Sequence, residues 1–102
     1  MVEVEVMPSA LQDITNIIDH VHARSVQNAE KLYNELKEKI ASLQQFPERG
    51  SLVKEARKQQ LRESRLHHYR IIYRCLPDKV QVLTVHHSAR LPTNNPHLDE
   101  EL

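Results

Sequence analysis

The chain contains one glycine, one cysteine, no tryptophan, and only one phenylalanine and three tyrosines. Phosphate-binding loops, dinucleotide fingerprints and EF-hands each need glycine at fixed offsets, so Gly50 alone cannot build any of them. Cys75 alone permits neither an internal disulfide nor a multi-cysteine zinc or iron–sulfur site. No apolar stretch approaches the ~20 residues of a membrane span. The opening MVEVEVMPSA lacks the basic-then-apolar order of a secretion signal. At 102 residues the expectation is one soluble domain over 1–102 with a single modest core, and a reducing cytoplasm suits its lone thiol.

Net charge is also missing, since 14 basic groups balance 14 acidic ones. The balance does not hold locally. Residues 1–48 carry four basic and eight acidic groups, net −4. Residues 49–74 carry eight basic groups (Arg49, Lys54, Arg57, Lys58, Arg62, Arg65, Arg70 and Arg74) against Glu55 and Glu63, net +6. Residues 75–102 carry Lys79 and Arg90 against Asp78, Asp99, Glu100 and Glu101, net −2. A basic patch beside acidic surroundings follows, one that the whole-chain charge conceals.

Periodicity supplies the elements. Val2–Val6 alternates apolar and charged residues as a half-buried strand does, and Pro8 stops it. Ser9 followed by Gln12 fits a capping box, and Leu11, Ile14, Ile17, Ile18 and Val21 then recur at helical spacing over about 9–23. A second helix is expected over about 26–45, with Ala29, Leu32, Tyr33, Leu36, Ile40 and Leu43 as its core stripe and Pro47 beyond its end. The join at 24–26 makes the two a helical hairpin. Leu61–Leu66, His68–Leu76 and Val80–His87 read as strands, the last two joined by a turn at Leu76–Lys79 containing Pro77-Asp78. Alternation puts Tyr69, Ile71, Tyr73 and Cys75 on one strand face and Arg70, Ile72 and Arg74 on the other. In the next strand Val80, Val82 and Thr84 oppose Leu83 and Val85, so the central pair is apolar on both sides. Residues 91–102 read as a loop-like, mobile tail. The fold class is α+β: an N-terminal strand, an antiparallel helical hairpin, then a three-stranded antiparallel meander, all in one antiparallel sheet.

The chain resembles the RelE/ParE superfamily of bacterial toxins from Val4 to about Arg90. The resemblance rests on Pro8, Ala10, Asp13, Ile14, Ile17 and Ala29, and on Leu43, Pro47 and Gly50 in an L-x3-P-x2-G order. It rests most on Leu61-Arg62, then Tyr69-Arg70-Ile71-Ile72-Tyr73-Arg74, then Val85-His86-His87-Ser88-Ala89-Arg90. The ordered set, rather than any one piece, is specific. The resemblance implies the toxin component of a type II toxin–antitoxin system, with a cognate antitoxin whose acidic, flexible segment wraps the toxin. ParE-like members poison DNA gyrase by protein binding. RelE-like members are ribosome-dependent messenger endoribonucleases that use a basic cluster, usually with a C-terminal Tyr or His. Here no tyrosine follows Tyr73, and the only histidine after the last strand is His97. Overall neutrality also disfavours life among ribosomal phosphates, where affinity comes from counterion release. The ParE-like reading is preferred and the ribonuclease kept as its alternative.

On that reading no catalytic residues and no cofactor are expected; were the chain a ribonuclease, the candidates are Arg65, Arg90 and His87. The partner-binding candidates are Arg57, Lys58, Arg62, Arg65, Arg70, Arg74 and Arg90, facing the antitoxin together with a groove beside the helical hairpin. DNA gyrase is the expected second partner, with DNA met only through the antitoxin and no membrane involved. For Arg70 and Arg74, side by side on one strand face, a solvated face with an ion pair or two to the acidic helices is the preferred reading. No metal site is expected, because His86 and His87 point to opposite sheet faces and His20 and His22 diverge around a helix. Cys75 and Tyr33 are expected in the core.

Overall fold

The computed structural model describes residues 2–54 and 60–87. Its elements are β1 (Glu3–Val6), α1 (Pro8–His22), α2 (Val26–Ser42), β2 (Ser51–Leu52), β3 (Arg62–Leu66), β4 (Tyr69–Cys75) and β5 (Lys79–His87). The strands form one sheet in the order β1-β5-β4-β3-β2. The expected meander β3-β4-β5 is antiparallel, and β2 adds to it antiparallel. β1 departs from the all-antiparallel expectation by running parallel to β5, with Glu3 opposite Lys79 and Val6 opposite Val82. Alternation reveals that a segment is a strand but not the direction of its neighbour, and a parallel pair needs only a long enough crossover.

Proline sets the start of α1. Pro8 occupies its first turn, where a fixed φ is preorganised and the missing N–H costs nothing. Met7, not Ser9, is the capping residue, and no side chain caps the helix. Ser9 lies inside the helix and donates its hydroxyl to Leu83 O at 2.5 Å, while Gln12 donates to Asn16 Oδ1 at 3.1 Å, so the capping box does not form. At α2 the Ser25 hydroxyl accepts from the Asn28 amide at 3.1 Å. The α-helix stops at Ser42, and Leu43, Gln44 and Gln45 continue as tighter i→i−3 turns, so the path anticipated through 45 is kept with different winding.

Packing occurs on both sheet faces. Leu32, Leu36, Ile40 and Leu43 of α2 and its end, with Ala10 of α1, bury Ile71, Tyr73, Val80, Val82 and Val85. On the other face Ile72 and Leu83 pack with Val53, Leu61 and Met7. The expected face of Val85 is corrected here. The pairing passes from Ile72↔Thr84 to Tyr73↔Val82, so Leu83 is an extra residue in β5. Such a bulge resets the alternation and returns Val85 to the helical side with Val80 and Val82. Tyr33 is likewise not core: it is 48 % exposed on α2, and Leu11 on α1 is 53 % exposed.

α1 also completes the outer edge of β5 beyond β1. Met7 N–H donates to Val82 O at 2.9 Å, and the Asp13 carboxylate accepts from Val85 N–H at 3.1 Å and from the Thr84 hydroxyl. A side-chain carboxylate thereby substitutes for strand carbonyls.

Gly50 is needed for close approach rather than for an unusual φ. Its amide donates to the Tyr73 hydroxyl at 3.0 Å, and a Cβ there would lie well inside van der Waals contact of that hydroxyl and of Glu63 O. Gly50→Ala is expected to lower stability by about 1–3 kcal/mol through overpacking, and Tyr73→Phe by about 1–3 kcal/mol through the orphaned amide. Because the hydroxyl is one of the two clashing groups, the double variant should cost less than the sum of the singles in urea unfolding. Glu5 offers a pH test. Its hydrogen bond from Gln81, then Lys79 beside it, holds its carboxyl below the usual carboxylate range. A depressed folded value stabilises above the unfolded value of about 4.3 and the benefit vanishes as pH falls through the folded value. Glu5→Gln should therefore show a shallower acid-side fall in melting temperature than the parent.

Candidate functional site

The arginines of the basic segment divide by what already holds them. Arg70 is 6 % exposed, and its Nε donates to Glu63 Oε2 in a largely buried ion pair. Arg62 donates to Gly50 O at 2.8 Å and Glu48 O at 3.2 Å, clamping the loop after α2 to β3. Arg74 donates to Gln81 Oε1 at 2.8 Å, Gln81 Nε2 donates to Glu5 Oε1 at 2.8 Å, and Lys79 lies 3.2 Å from Glu5. The three strands β4, β5 and β1 are thus laced by a polar ladder at matching register positions. The solvated-face expectation for Arg70 is corrected by this burial. Removing one member of such a pair strands a buried charge. Arg65 differs, its side chain 64 % exposed with only a 3.4 Å contact to Glu63. Arg57, Lys58 and Arg90 lie outside the described residues.

The alternative ribonuclease set is not brought together where it is described. Register lines Arg65, Arg70 and His86 across β3, β4 and β5, whereas Leu66, Tyr69 and His87 form the next line. Successive lines point to opposite faces. Arg65 therefore projects on the face away from the helices, and His87 on the helical side. There the His87 ring packs edge-on to Tyr69 at 5.6 Å and stacks on His68 at 5.8 Å. His67, at positive φ in the two-residue turn between β3 and β4, lies 2.8 Å from Glu35 and ties that turn to α2. Among the described residues no cluster of three His, Cys, Asp or Glu could hold a metal.

Cys75 is exposed at the end of β4, contrary to its expected burial, and its Sγ donates to Pro47 O at 3.3 Å. Loss of water around the sulfur pushes the thiol up from its ordinary value; nearby Arg62 opposes this and Glu48 adds to it. Less thiolate at neutral pH makes it a poor nucleophile.

Two hollows flank α2. On one side an apolar groove runs between the helices and β1, with Val6, Leu11, Ile14, Tyr33, Leu36 and Ile40 at one end. It continues past Val2 and Val4 to Ala41 and Gln44. Its stripe residues were expected in the core, and Leu11 and Tyr33 stand about half exposed instead. On the other side a hollow of about 350 Å³ lies between the end of α2 and β3, lined by Lys39, Phe46, Arg49, Ser64 and Arg65 among others. Arg49 sits over the Phe46 ring, 4.1 Å from its centroid. Charge counting marked Arg49 and Arg65 but could not join them to Lys39, a residue of the acidic half.

Among the described residues no helix is long and apolar enough to cross a membrane. No curated protein matches the chain. Among solved structures, the "Chromosomal ParDE TA system from P. aeruginosa" shares 22 % identity and a TM-score of 0.70, covering 85 % of this chain and 96 % of that one. That likeness carries the fold, with its N-terminal strand, helical pair and antiparallel meander. The model of the ParE toxin of the type II toxin–antitoxin system parDE matches residues 4–92. With nearly its whole length matched, the chain belongs to the ParE toxin family of type II toxin–antitoxin systems.

Proposed function

We propose that this toxin inhibits DNA gyrase by protein–protein binding, without chemistry of its own, and is neutralised by a cognate antitoxin seated in the apolar groove beside the helical hairpin. The groove is the observation that carries the antitoxin part. Leu11 and Tyr33 stand about half exposed at its mouth, above Leu36 and Ile40. Large exposed apolar side chains flanking a concave strip fit an amphipathic partner helix laid into a groove. The P. aeruginosa likeness, solved as a ParDE system, supports a partner of this type. The gyrase part follows from the ParE branch. Of the candidates named for the RelE-like endoribonuclease reading, Arg65 and His87 lie on opposite faces of the sheet.

Purified protein is expected to inhibit gyrase supercoiling and accumulate cleaved DNA. Primer extension on translated message should show no codon-positioned cuts, and cuts without gyrase poisoning would replace this reading with the ribonuclease. Tyr33→Asp should weaken antitoxin binding by ~2 kcal/mol, about thirtyfold in Kd, as expected for an aromatic anchor. Its melting temperature should barely change, because the ring is half solvated already. Arg70→Ala should behave oppositely, lowering stability by about 3–5 kcal/mol through the stranded Glu63 while leaving the groove intact. Isothermal titration and thermal melts on the same samples separate the two effects.

A further inference from the structure

The lysines of α2 differ in what stands one turn away. Lys31 and Lys39 each lie four residues from Glu35, the spacing of an intrahelical ion pair. Lys37 has Tyr33 and Ala41 at that distance, and Asn34 and Ile40 at three residues. Among the described residues its ammonium has no carboxylate within ion-pair distance. Such a lysine is ordinarily a solvated charge on an open surface, but this one is set into the apolar groove. Leu11, Ile14, Tyr33 and Leu36 line the groove towards one end, and Val2, Val4, Ala41 and Gln44 towards the other. Lys37 lines both halves, as do Val6 and Ile40. Ile40 is buried and Val6 half-buried, so the exposed side chain at the middle is Lys37.

Glu3, the other charged residue of the lining, belongs to a different face. Val2, Val4 and Val6 pack towards the helices, so alternation turns Glu3 and Glu5 to the opposite side, where Glu5 accepts from Gln81. A partner lying in the groove therefore meets one cation amid apolar and neutral polar surface. Covering that ammonium with an apolar side chain strips its water without replacement, and a basic side chain there adds repulsion. A carboxylate meets the ammonium while the lysine stem keeps its apolar contacts. Spacing fixes where the carboxylate must stand. Tyr33, Lys37 and Ala41 follow one another at four residues, about 6 Å along the helix axis. A helix beside α2 thus presents its acid one turn from the apolar residue that meets Leu11 and Tyr33. A small apolar residue one turn further on then faces Ile40 and Ala41.

We propose that Lys37 selects the antitoxin: the groove takes a helix carrying Asp or Glu one turn from its apolar anchor and rejects one with an apolar or basic residue there. This inference rests on the antitoxin reading above and deepens it by naming the contact that discriminates among partner helices. Apolar walls alone discriminate weakly, because a methylene more or less changes affinity little, whereas a charge of the wrong sign is a direct penalty.

The probes are two stapled amphipathic helical peptides of about 15 residues, identical except for Glu or Lys midway between two leucines two turns apart. Fluorescence anisotropy should show the Glu peptide binding about tenfold more tightly than the Lys peptide, with the difference shrinking as salt rises from about 0.05 to 0.5 M. Lys37→Glu should reverse the order, and Lys37→Met, which keeps an apolar stem, should abolish the preference; both variants should melt as the parent does. Equal affinities in the parent, a preference that survives Lys37→Met, or no binding of either peptide by about 2 mM would each overturn the proposal. The second arm is the complex with the product of the adjacent gene, where Tyr33→Ala tests the groove and Lys37→Glu tests selection. Weakening by both, about tenfold for Lys37→Glu at low salt, supports the proposal. Weakening by Tyr33→Ala alone removes the role of Lys37 and leaves the groove reading standing. No effect of either removes the groove reading, and Lys37 with it.

Discussion

The hydrogen bond from the Gly50 amide to the Tyr73 hydroxyl joins the two halves of the fold. Tyr73 is wholly buried among the α2 stripe and the β5 valines, so its hydroxyl is a fixed point rather than a mobile one. Burial, only partly offset by the Gly50 bond, pushes the phenol up from its ordinary value, which keeps it a neutral acceptor and donor at any physiological pH. The loop after α2 must come within reach of that point, and glycine is the residue that allows the approach. Once Gly50 is placed, Arg62 closes over its carbonyl, Ser51 meets Glu63, and Arg49 is left facing Phe46. The geometry of the basic hollow thus descends from a contact made in the core.

Neutrality of the whole chain turns out to combine two kinds of arginine. Arg62, Arg70 and Arg74 spend their donors on backbone carbonyls, a buried carboxylate and an amide, and they brace the sheet. Arg49 and Arg65 keep their charge near the surface, and Lys39 of α2 lines the same hollow. Partition by sequence segment located the basic excess, but engagement decides which of these charges stay at the surface. A long guanidinium in a strand can reach a carboxylate on the neighbouring strand, and Glu63 stands two register lines from Arg70, on the same sheet face.

Much of the architecture was legible because it is written in short-range periodicity. The helical stripes from Leu11 to Val21 and Ala29 to Leu43, the alternation in Val2–Val6 and the Tyr69–Tyr73 run all lie where the pattern puts them. What escaped depends on relations between distant residues. The parallel placement of β1, the two-residue β2, the bulge at Leu83 and the use of Ser9 as a donor to Leu83 O leave no local signature. Tyr33 and Leu11 read as core because periodicity cannot tell an apolar residue the fold buries from one it leaves at the mouth of a groove. The same blindness hid the candidate site. Arg65 was named, but its separation from His87 by the thickness of the sheet is a three-dimensional fact.

The parallel pairing of β1 with β5 also governs when the molecule comes into being. Glu3 waits for Lys79, and Val6 for Val82, so the strand made first finds its sheet neighbour among the last of the described residues. Contacts of such separation are slow to close, and they cannot close on a ribosome until β5 has emerged. Until then the valines of β1 and the stripe of α1 have no sheet to cover. Any product that stops short of Lys79 lacks both β5 and the partner of β1. A sheet ordered this way is assembled late, because its first-made strand is held by its last-made one.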